Sequence, residues 1–363
     1  MAGRKKKSAG RMPLWLYVLI VVVIALVTYF RTSGEAEAGD PQPPAASAAA
    51  QQTPADETLT VRFLDVGQGD SILLACGDET MLIDGGPVEE GQFLVSRLNR
   101  LDVTELTYVI NTHPDEDHCG GLAAVLAKYP AEHVYSSVTE YTTKVFSNVV
   151  KYADEQGHPV EVPQTGDSWT LGSASVQVIG PVQTYPDPNN GSLVLRVDYG
   201  GTSFLFTGDM EQNAEADLMD SGANVRADVL KVGHHGSPTS SSEAFLEAVA
   251  PSIAVISVGE DNDYGHPSAD VLARLEALGT TIYRTDTQGE IIITSDGQTL
   301  TVTTDPTSRE PAAGKDAPFI GNRNSMIVHS ANCAKLPGED NRVYFNTAEE
   351  AEEYGYQKHT CIK

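Results

Sequence analysis

A short apolar run, Tyr108-Val109-Ile110, gives way to Asn111-Thr112-His113-Pro114-Asp115-Glu116-Asp117-His118-Cys119-Gly120-Gly121. Four side chains able to ligate a metal, His113, Asp115, Asp117 and His118, fall within six positions directly after a strand. Such a loop can feed two adjacent cations, because alternate residues point to different sides. The same arrangement recurs along the chain. Asp84 follows an apolar run in LIDGG, Asp209 closes FLFTGD, His234 and His235 lie in VGHHGS, and His266 lies in YGHPS. Any one of these could be an ordinary polar loop residue. Their repetition after successive apolar runs points instead to strand ends that converge on a metal site.

The pattern between these points is of short strands and Gly-rich turns, starting at Leu59. Residues 60–64 alternate, and 71–75 with 80–83 read as a hairpin. Residues 93–101, 120–128, 243–249 and 269–278 have helical spacing. Further strands are predicted at 108–110, 175–179, 193–199, 203–206, 229–232, 253–258 and 290–294. Strands interleaved with helices argue for packed layers with sheets inside, an α/β fold over residues 58–305. Residues 306–317 (PTSREPAAGKDA) read as a linker, and residues 318–363 as a separate small α+β unit.

Leu14 to Phe30 is free of charge and flanked by Arg11 and Arg31. At about 1.5 Å per residue the run covers roughly 25 Å, enough to span a bilayer as a transmembrane helix. The preceding bases put the N-terminus in the cytoplasm and the body outside, as a single-pass protein of the cell membrane. A cleaved signal peptide is the rival reading, with Ala36-Glu37-Ala38 as a small-x-small site. Residues 1–31 are thus a basic tail and anchor, and residues 32–57, rich in Ala, Pro and Gln, a disordered tether. The net charge of −26 is uneven, since the first 31 residues hold six bases and no acid. From residue 32 onward 18 Lys+Arg face 50 Asp+Glu, a balance of −32. So acidic a body does not hold a polyanion by bulk field and needs metal ions or a local basic strip for that purpose. Four scattered cysteines exclude a disulfide scaffold.

THPDEDHCGG resembles the HxHxDH signature of the metallo-β-lactamase superfamily, with Asp115 where a second His is expected. The preceding FLDVGQGDSILL, together with NNGSLVL, TGD, KVGHHGS and YGHPS after it, occurs in an order similar to the hydrolase domain of ComEC-type competence proteins. The resemblance implies an αββα sandwich with its site along one edge, two divalent metal ions and a hydrolytic water. Carried over by position, His113 and Asp115 face the first metal. Asp117 and His118 hold the second with His266, and Asp209 bridges the two. Asp84 acts from behind by orienting the His-rich loop. Many members carry a further His where this chain has Asn189-Asn190-Gly191-Ser192, so the first metal uses Asn190, borrows His234 or His235, or is held weakly. Carboxylate and amide ligands harden the site, which suits Mn²⁺ as well as Zn²⁺. His234 or His235 is expected to protonate the leaving group or hold a non-bridging oxygen; the alternative is that the pair only packs or caps a turn. Gln68 and Asp70 either touch substrate or hydrogen-bond their own Gly-rich turn. Cys119 is expected to be a buried small residue beneath the metal.

The C-terminal unit contains His329-x3-Cys333 and His359-x-Cys361 and resembles the small zinc module of Ada-type proteins. One structural zinc held by His329, Cys333, His359 and Cys361, or a Cys333–Cys361 disulfide, are the two staples open to it. Together these features give the expectation of a membrane-anchored, extracytoplasmic hydrolase that cuts a phosphodiester. The resemblance favours nucleic acid as substrate, and thus a nuclease. An envelope phosphodiesterase of the teichoic-acid type is the alternative within the enzyme class. A non-catalytic surface-binding module on the same fold is the alternative outside it.

Overall fold

The first layer is set by alternation: in β1 (Leu59–Phe63) every second residue is fully buried, and the others lie half-covered. A computed structural model describes residues 57–260, 262–309, 317–322 and 324–362. The segment 14–30, the tether up to residue 56 and most of the 306–317 linker lie outside the described residues. Among the described residues no helix is long and apolar enough to cross a membrane.

β1 continues into β2 (Ile72–Cys76), β3 (Glu79–Ile83), β4 (Leu106–Asn111) and β5 (Ala131–Ser136). The second layer runs through β6 (Ser168–Leu171), β7 (Ala174–Gly180), β8 (Val194–Tyr199), β9 (Thr202–Phe206), β10 (Val229–Lys231), β11 (Ile253–Ile256) and β12 (Thr281–Arg284). The chain then returns to the first layer as β13 (Glu290–Ser295) and β14 (Leu300–Asp305). Each layer has seven strands, ordered β14-β13-β1-β2-β3-β4-β5 and β12-β11-β10-β9-β8-β7-β6. Both layers open as antiparallel meanders and finish in parallel pairs, β3–β4–β5 and β9–β10–β11–β12. Parallel pairs need crossover helices, and those helices cover the outer faces.

Against the first layer lie α1 (Gly91–Arg100), α2 (Glu116–Cys119), α3 (Leu122–Lys128) and α4 (Lys144–Gln156). Against the second lie α5 (Gln212–Asp220), α6 (Glu243–Val249) and α7 (Ala269–Ala277), with a single turn, α8 (Thr285–Gln288), before β13. Phe63, Leu74, Ile110, Val176, Leu195, Phe206 and Ile291 fill the space between the sheets. Separate apolar clusters fill the two helix–sheet interfaces. The architecture is therefore the αββα sandwich expected. At the start of the 306–317 stretch, Arg309 donates to the Asp65 carbonyl at 2.8 Å and to Glu90 at 2.6 Å.

The C-terminal residues form their own four-stranded sheet, β17-β15-β16-β18. Its strands are β15 (Phe319–Asn322), β16 (Ile327–Ser330), β17 (Arg342–Phe345) and β18 (Gln357–Lys358), with α9 (Ala348–Glu353) started by a Thr347/Glu350 capping box. Its core is small, built on Val328, Phe345, Ala351, Tyr354 and Tyr356. The unit rests on α1, where the Arg100 guanidinium lies 4.2 Å over the Tyr354 ring and donates to its hydroxyl at 2.5 Å.

Candidate metal centre

Parallel strands that share a direction also share a carboxyl end, and ligands in such sheets gather beyond that rim. Asp84 follows β3, the His113–His118 loop follows β4, Asp209 follows β9, and His234–His235 follow β10. Backbone geometry aims several of these side chains. Asp84, His234 and His235 all have left-handed φ, at 58°, 49° and 53°, which is unusual for side-chain-bearing residues and clusters at functional sites. Gly69 has φ of 143° and admits the Asp117 backbone so closely that an added Cβ would lie 2.2 Å from the Asp117 carbonyl oxygen. Asp70 N–H then donates to that same carbonyl at 3.1 Å, which fixes the two loops together.

Asp117, His118, Asp209 and His235 bring one ligand atom each within 4.8 Å of one another. His118 Nε2 lies 3.2 Å from Asp209 Oδ1, and His235 Nε2 lies 3.4 Å from both Asp117 Oδ2 and Asp209 Oδ2. The opposite nitrogens are committed elsewhere. His118 Nδ1 is 2.8 Å from Asp84 Oδ2, and His235 Nδ1 is 2.9 Å from the Ser257 carbonyl. Both partners accept, so both Nδ1 atoms carry hydrogen. The two Nε2 lone pairs then face each other at 3.3 Å. That arrangement needs a shared cation or added protons between the rings. His113 continues the cluster, with its ring centroid 4.1 Å from that of His118 and its Nε2 3.8 Å from Asp115 Oδ2. His113 Nε2 and Asp209 Oδ1 are buried and make no hydrogen bond. Orphaned acceptors, oriented imidazoles and carboxylates together fit a divalent metal centre.

Without a cation, protons balance the charge. Burial alone would lower the pKa of His118 and of His235; Asp209, with the other carboxylates around them, overrides it and raises both well above the ordinary value. Burial would likewise raise Asp209, but His118 and His235 hold it well below the carboxylate range. His113 is different: burial, with the His118 charge added, pushes it down to about 3, so it stays neutral and ready to ligate. Divalent metal bound here would supply an activated water and offset the charge that develops on phosphoryl or carbonyl oxygens. Asp117, His118, Asp209 and His235 would hold one ion, and His113 and Asp115 with Asp209 a second.

Several expectations are corrected by this geometry. His266 does not join the cluster; His235 takes the place expected for it, because its left-handed backbone turns the ring inward. His266 instead meets the edge of the His234 ring at 5.7 Å. His235 is buried, with Nδ1 held by the Ser257 carbonyl and Nε2 turned into the cluster, an arrangement that suits a metal ligand. His234 is the half-exposed member of the pair, with Nε2 3.8 Å from Asp209 Oδ2 and Nδ1 3.2 Å from Thr239 Oγ1. Asn190 points its amide at Asp187 and Glu211, each at 3.3 Å, and accepts from Glu211 N–H with its oxygen. Its amide is thereby spent on its own loop. Gln68 accepts from Gly259 N–H at 3.2 Å. Asp70 is buried against Lys231, so neither side chain bonds its own turn: Gln68 ties the turn to the Gly259 loop and Asp70 ties it to β10. Asp84 accepts from Asn111 Nδ2, Thr112 N–H, Thr112 Oγ1 and His118 Nδ1. Cys119 is fully buried with its thiol on the Pro114 carbonyl, and burial pushes that thiol up to about 12.

Sequence reasoning missed Lys231, whose ammonium reaches Asp70 Oδ2 at 2.5 Å. A single Lys inside an otherwise apolar strand was the available signal. Ser192, whose hydroxyl oxygen accepts from Asp209 N–H at 3.1 Å and lies 3.4 Å from His113 Nδ1, was missed as well. In the C-terminal sheet His329, Cys333, His359 and Cys361 also come within 4.8 Å of one another, and both cysteines are free thiols.

A sandwich of this kind with imidazoles and carboxylates on its carboxyl rim defines a metal-dependent hydrolase. The metallo-beta-lactamase superfamily pattern matches residues 64–260, more than half the sequence, and the chain belongs to that superfamily. It is 33% identical over 252 residues to ComE operon protein 3 of Bacillus subtilis (strain 168), covering 64% of this chain and 32% of that protein. It is 35% identical over 239 residues to Competence protein ComA of Neisseria gonorrhoeae, covering 65% of this chain and 32% of that protein. The chain thus spans about a third of the length of these relatives. Among solved structures, the metallo-beta-lactamase fold protein YhfI from Bacillus subtilis superposes with a TM-score of 0.45 at 12% identity, over 66% of this chain and 100% of that one.

Proposed function

We propose that the chain is a membrane-anchored, extracytoplasmic phosphodiesterase that cuts nucleic acid by metal-assisted attack of water. One observation carries the reading: Asp209 stands beside His118 and His235 on one hand and, through His118, beside the orphaned His113 on the other. A carboxylate so shared suits a bridging role between two cations. The names of the competence relatives support a nucleic-acid substrate. The acidic balance of the body supports a second reading, cleavage of a phosphodiester polymer of the cell envelope. In this proposal residues 14–30 form the anchor with the N-terminus cytoplasmic, and His329, Cys333, His359 and Cys361 hold one structural zinc.

The test is a metal count followed by turnover. Purified protein should carry about two divalent ions at the hydrolase site, and Asp209→Ala should lose cleavage of an oligonucleotide while keeping its fold by circular dichroism. A protein that binds no metal there, or an Asp209→Ala variant with unchanged turnover, would end the enzyme reading. Running single-stranded DNA, duplex DNA and teichoic acid side by side with Mn²⁺ and Zn²⁺ separates the two substrates.

A further inference from the structure

The loop between β11 and α7 is held more firmly than its exposure requires. Asn262 pins it from within: its amide donates to the Gly259 carbonyl at 3.0 Å and to the His266 carbonyl at 2.7 Å, and its oxygen accepts from His266 N–H at 3.0 Å. Gln68 fastens the same loop to the turn beside the metal centre through Gly259. At the tip of this braced loop stands Tyr264, 71% exposed. Its ring lies near-parallel to that of His266, at 5.7 Å and 23°. His266 meets His234 edge-on at 5.7 Å, and His234 Nε2 is 3.8 Å from Asp209 Oδ2. A row of rings therefore leads from the metal centre to open solvent. His266 Nδ1 is buried and makes no hydrogen bond, so that ring is placed by packing in the row rather than by a polar partner.

Among the described residues, Tyr264 and Tyr141 are the exposed Phe, Tyr or Trp side chains. Both border the centre: the charges of Asp115 and Asp187 act on the Tyr141 hydroxyl, whose pKa is raised by burial first and by them second. Tyr141 meets Phe146 edge-on at 6.4 Å, whereas Tyr264 is the more exposed of the two, at 71% against 37%, and the one joined to the row of rings. An acidic body has little long-range attraction to offer a polyanion, so binding away from the metals must come from a contact that does not depend on charge. Stacking of bases on aromatic faces is such a contact, and it tolerates any sequence.

We infer that Tyr264, backed by His266, is the platform on which the base next to the scissile phosphate stacks, which makes it a specificity-determining residue for base-bearing phosphodiesters. This rests on the phosphodiesterase reading of the metal centre. It predicts discrimination against phosphodiester chains that lack a flat aromatic group, and against duplexes, whose bases are already stacked on each other.

The test uses the full chain with Mn²⁺ and two single-stranded oligomers of equal length, one with all bases present and one with every base replaced by an abasic tetrahydrofuran residue. Tyr264→Ala should raise KM for the base-bearing oligomer about 5- to 150-fold with kcat retained, and Tyr264→Phe should restore it. On the abasic oligomer, wild type and Tyr264→Ala should have the same KM. An unchanged KM in Tyr264→Ala, or an equal loss on both oligomers, would overturn the inference. Should wild type cut neither oligomer, the phosphodiesterase reading fails by itself. Stacking is then judged by fluorescence anisotropy of the two labelled oligomers, where equal Kd values for wild type and Tyr264→Ala overturn it and weaker binding of the base-bearing one alone upholds it.

Discussion

Removal of the Lys231 ammonium is the sharpest probe of how the site is supported. Lys231 is 1% exposed, and its Nζ lies 2.5 Å from Asp70 Oδ2, 3.3 Å from the Gly208 carbonyl and 3.8 Å from Asp209 Oδ1. Burial would raise the Asp70 carboxyl, but Lys231, with His235 and His118, holds it down to about 2. Lys231→Met keeps most of the aliphatic volume and takes the nearest cation from the buried Asp70 carboxylate, leaving it only His235 Nδ1 at 3.5 Å and His118 Nδ1 at 3.8 Å. Loss of one partner from such a pair costs about 3–5 kcal/mol. For a domain of this size that is a fall of roughly 6–20 °C in Tm. Urea denaturation of chelator-treated protein, followed by circular dichroism, gives the value. Adding Asp70→Asn should recover at least half of the loss, because the stranded charge goes with it. A depressed carboxylate pKa contributes stability that is present above the unfolded value and is lost only as pH falls toward about 2. Without the ammonium, burial raises the Asp70 carboxyl, so the Lys231→Met deficit should be largest near about pH 8 and shrink toward about pH 5 as a proton takes the place of the lost partner. A loss under about 1 kcal/mol, or a double variant whose losses simply add, would refute the pairing argument.

Other substitutions test neighbouring links. Asp84→Asn keeps a residue that tolerates positive φ but turns an amide donor toward His118, so metal affinity by competition with a chromogenic chelator should drop about 10- to 100-fold; unchanged affinity would remove Asp84 from its orienting role. In metal-free protein the raised pKa values of His118 and His235 contribute stability that is complete below about 6.5 and is lost as pH climbs through the folded values. The urea midpoint should thus be lower at about pH 9 than at about pH 6 without metal and regain its height when metal is added; a flat metal-free profile contradicts this. Gly236→Ala forces a left-handed φ of 82° on a residue whose Cβ would lie 2.6 Å from Pro267 Cβ, and should cost about 1–3 kcal/mol with a matching loss of bound metal. Cys333→Ser should remove about one zinc equivalent and expose residues 317–362 to protease while leaving oligonucleotide turnover intact; unchanged zinc content would exclude Cys333 as a ligand.

The layers were legible because burial in a sheet leaves a period of two, as in Leu59, Val61 and Phe63, and because turns carry glycine. The polar loops were legible because each follows an apolar run. What local pattern conceals is orientation. His235 and His266 have equal claims in sequence, and only two consecutive left-handed residues, made tolerable by Gly236 under Pro267, decide between them. α4 was missed although Thr143 caps it and Gly157 ends it, since its buried residues Phe146, Val149 and Ala153 are spread among many polar ones. α5 was missed because Glu215 faces inward, where it accepts from the Ser241 and Ser242 N–H groups. Lys231 was hidden by the apolar neighbours that identify its strand.

The ligands come from opposite halves of the chain. His113, Asp115, Asp117 and His118 belong to one sheet and Asp209 and His235 to the other, so neither half owns a complete cage. A nascent chain would gain high-affinity capture only after β10 has been synthesised and the two slabs have closed. A cation held by these residues would then act as a clasp that locks late, and its retention would mark a finished molecule.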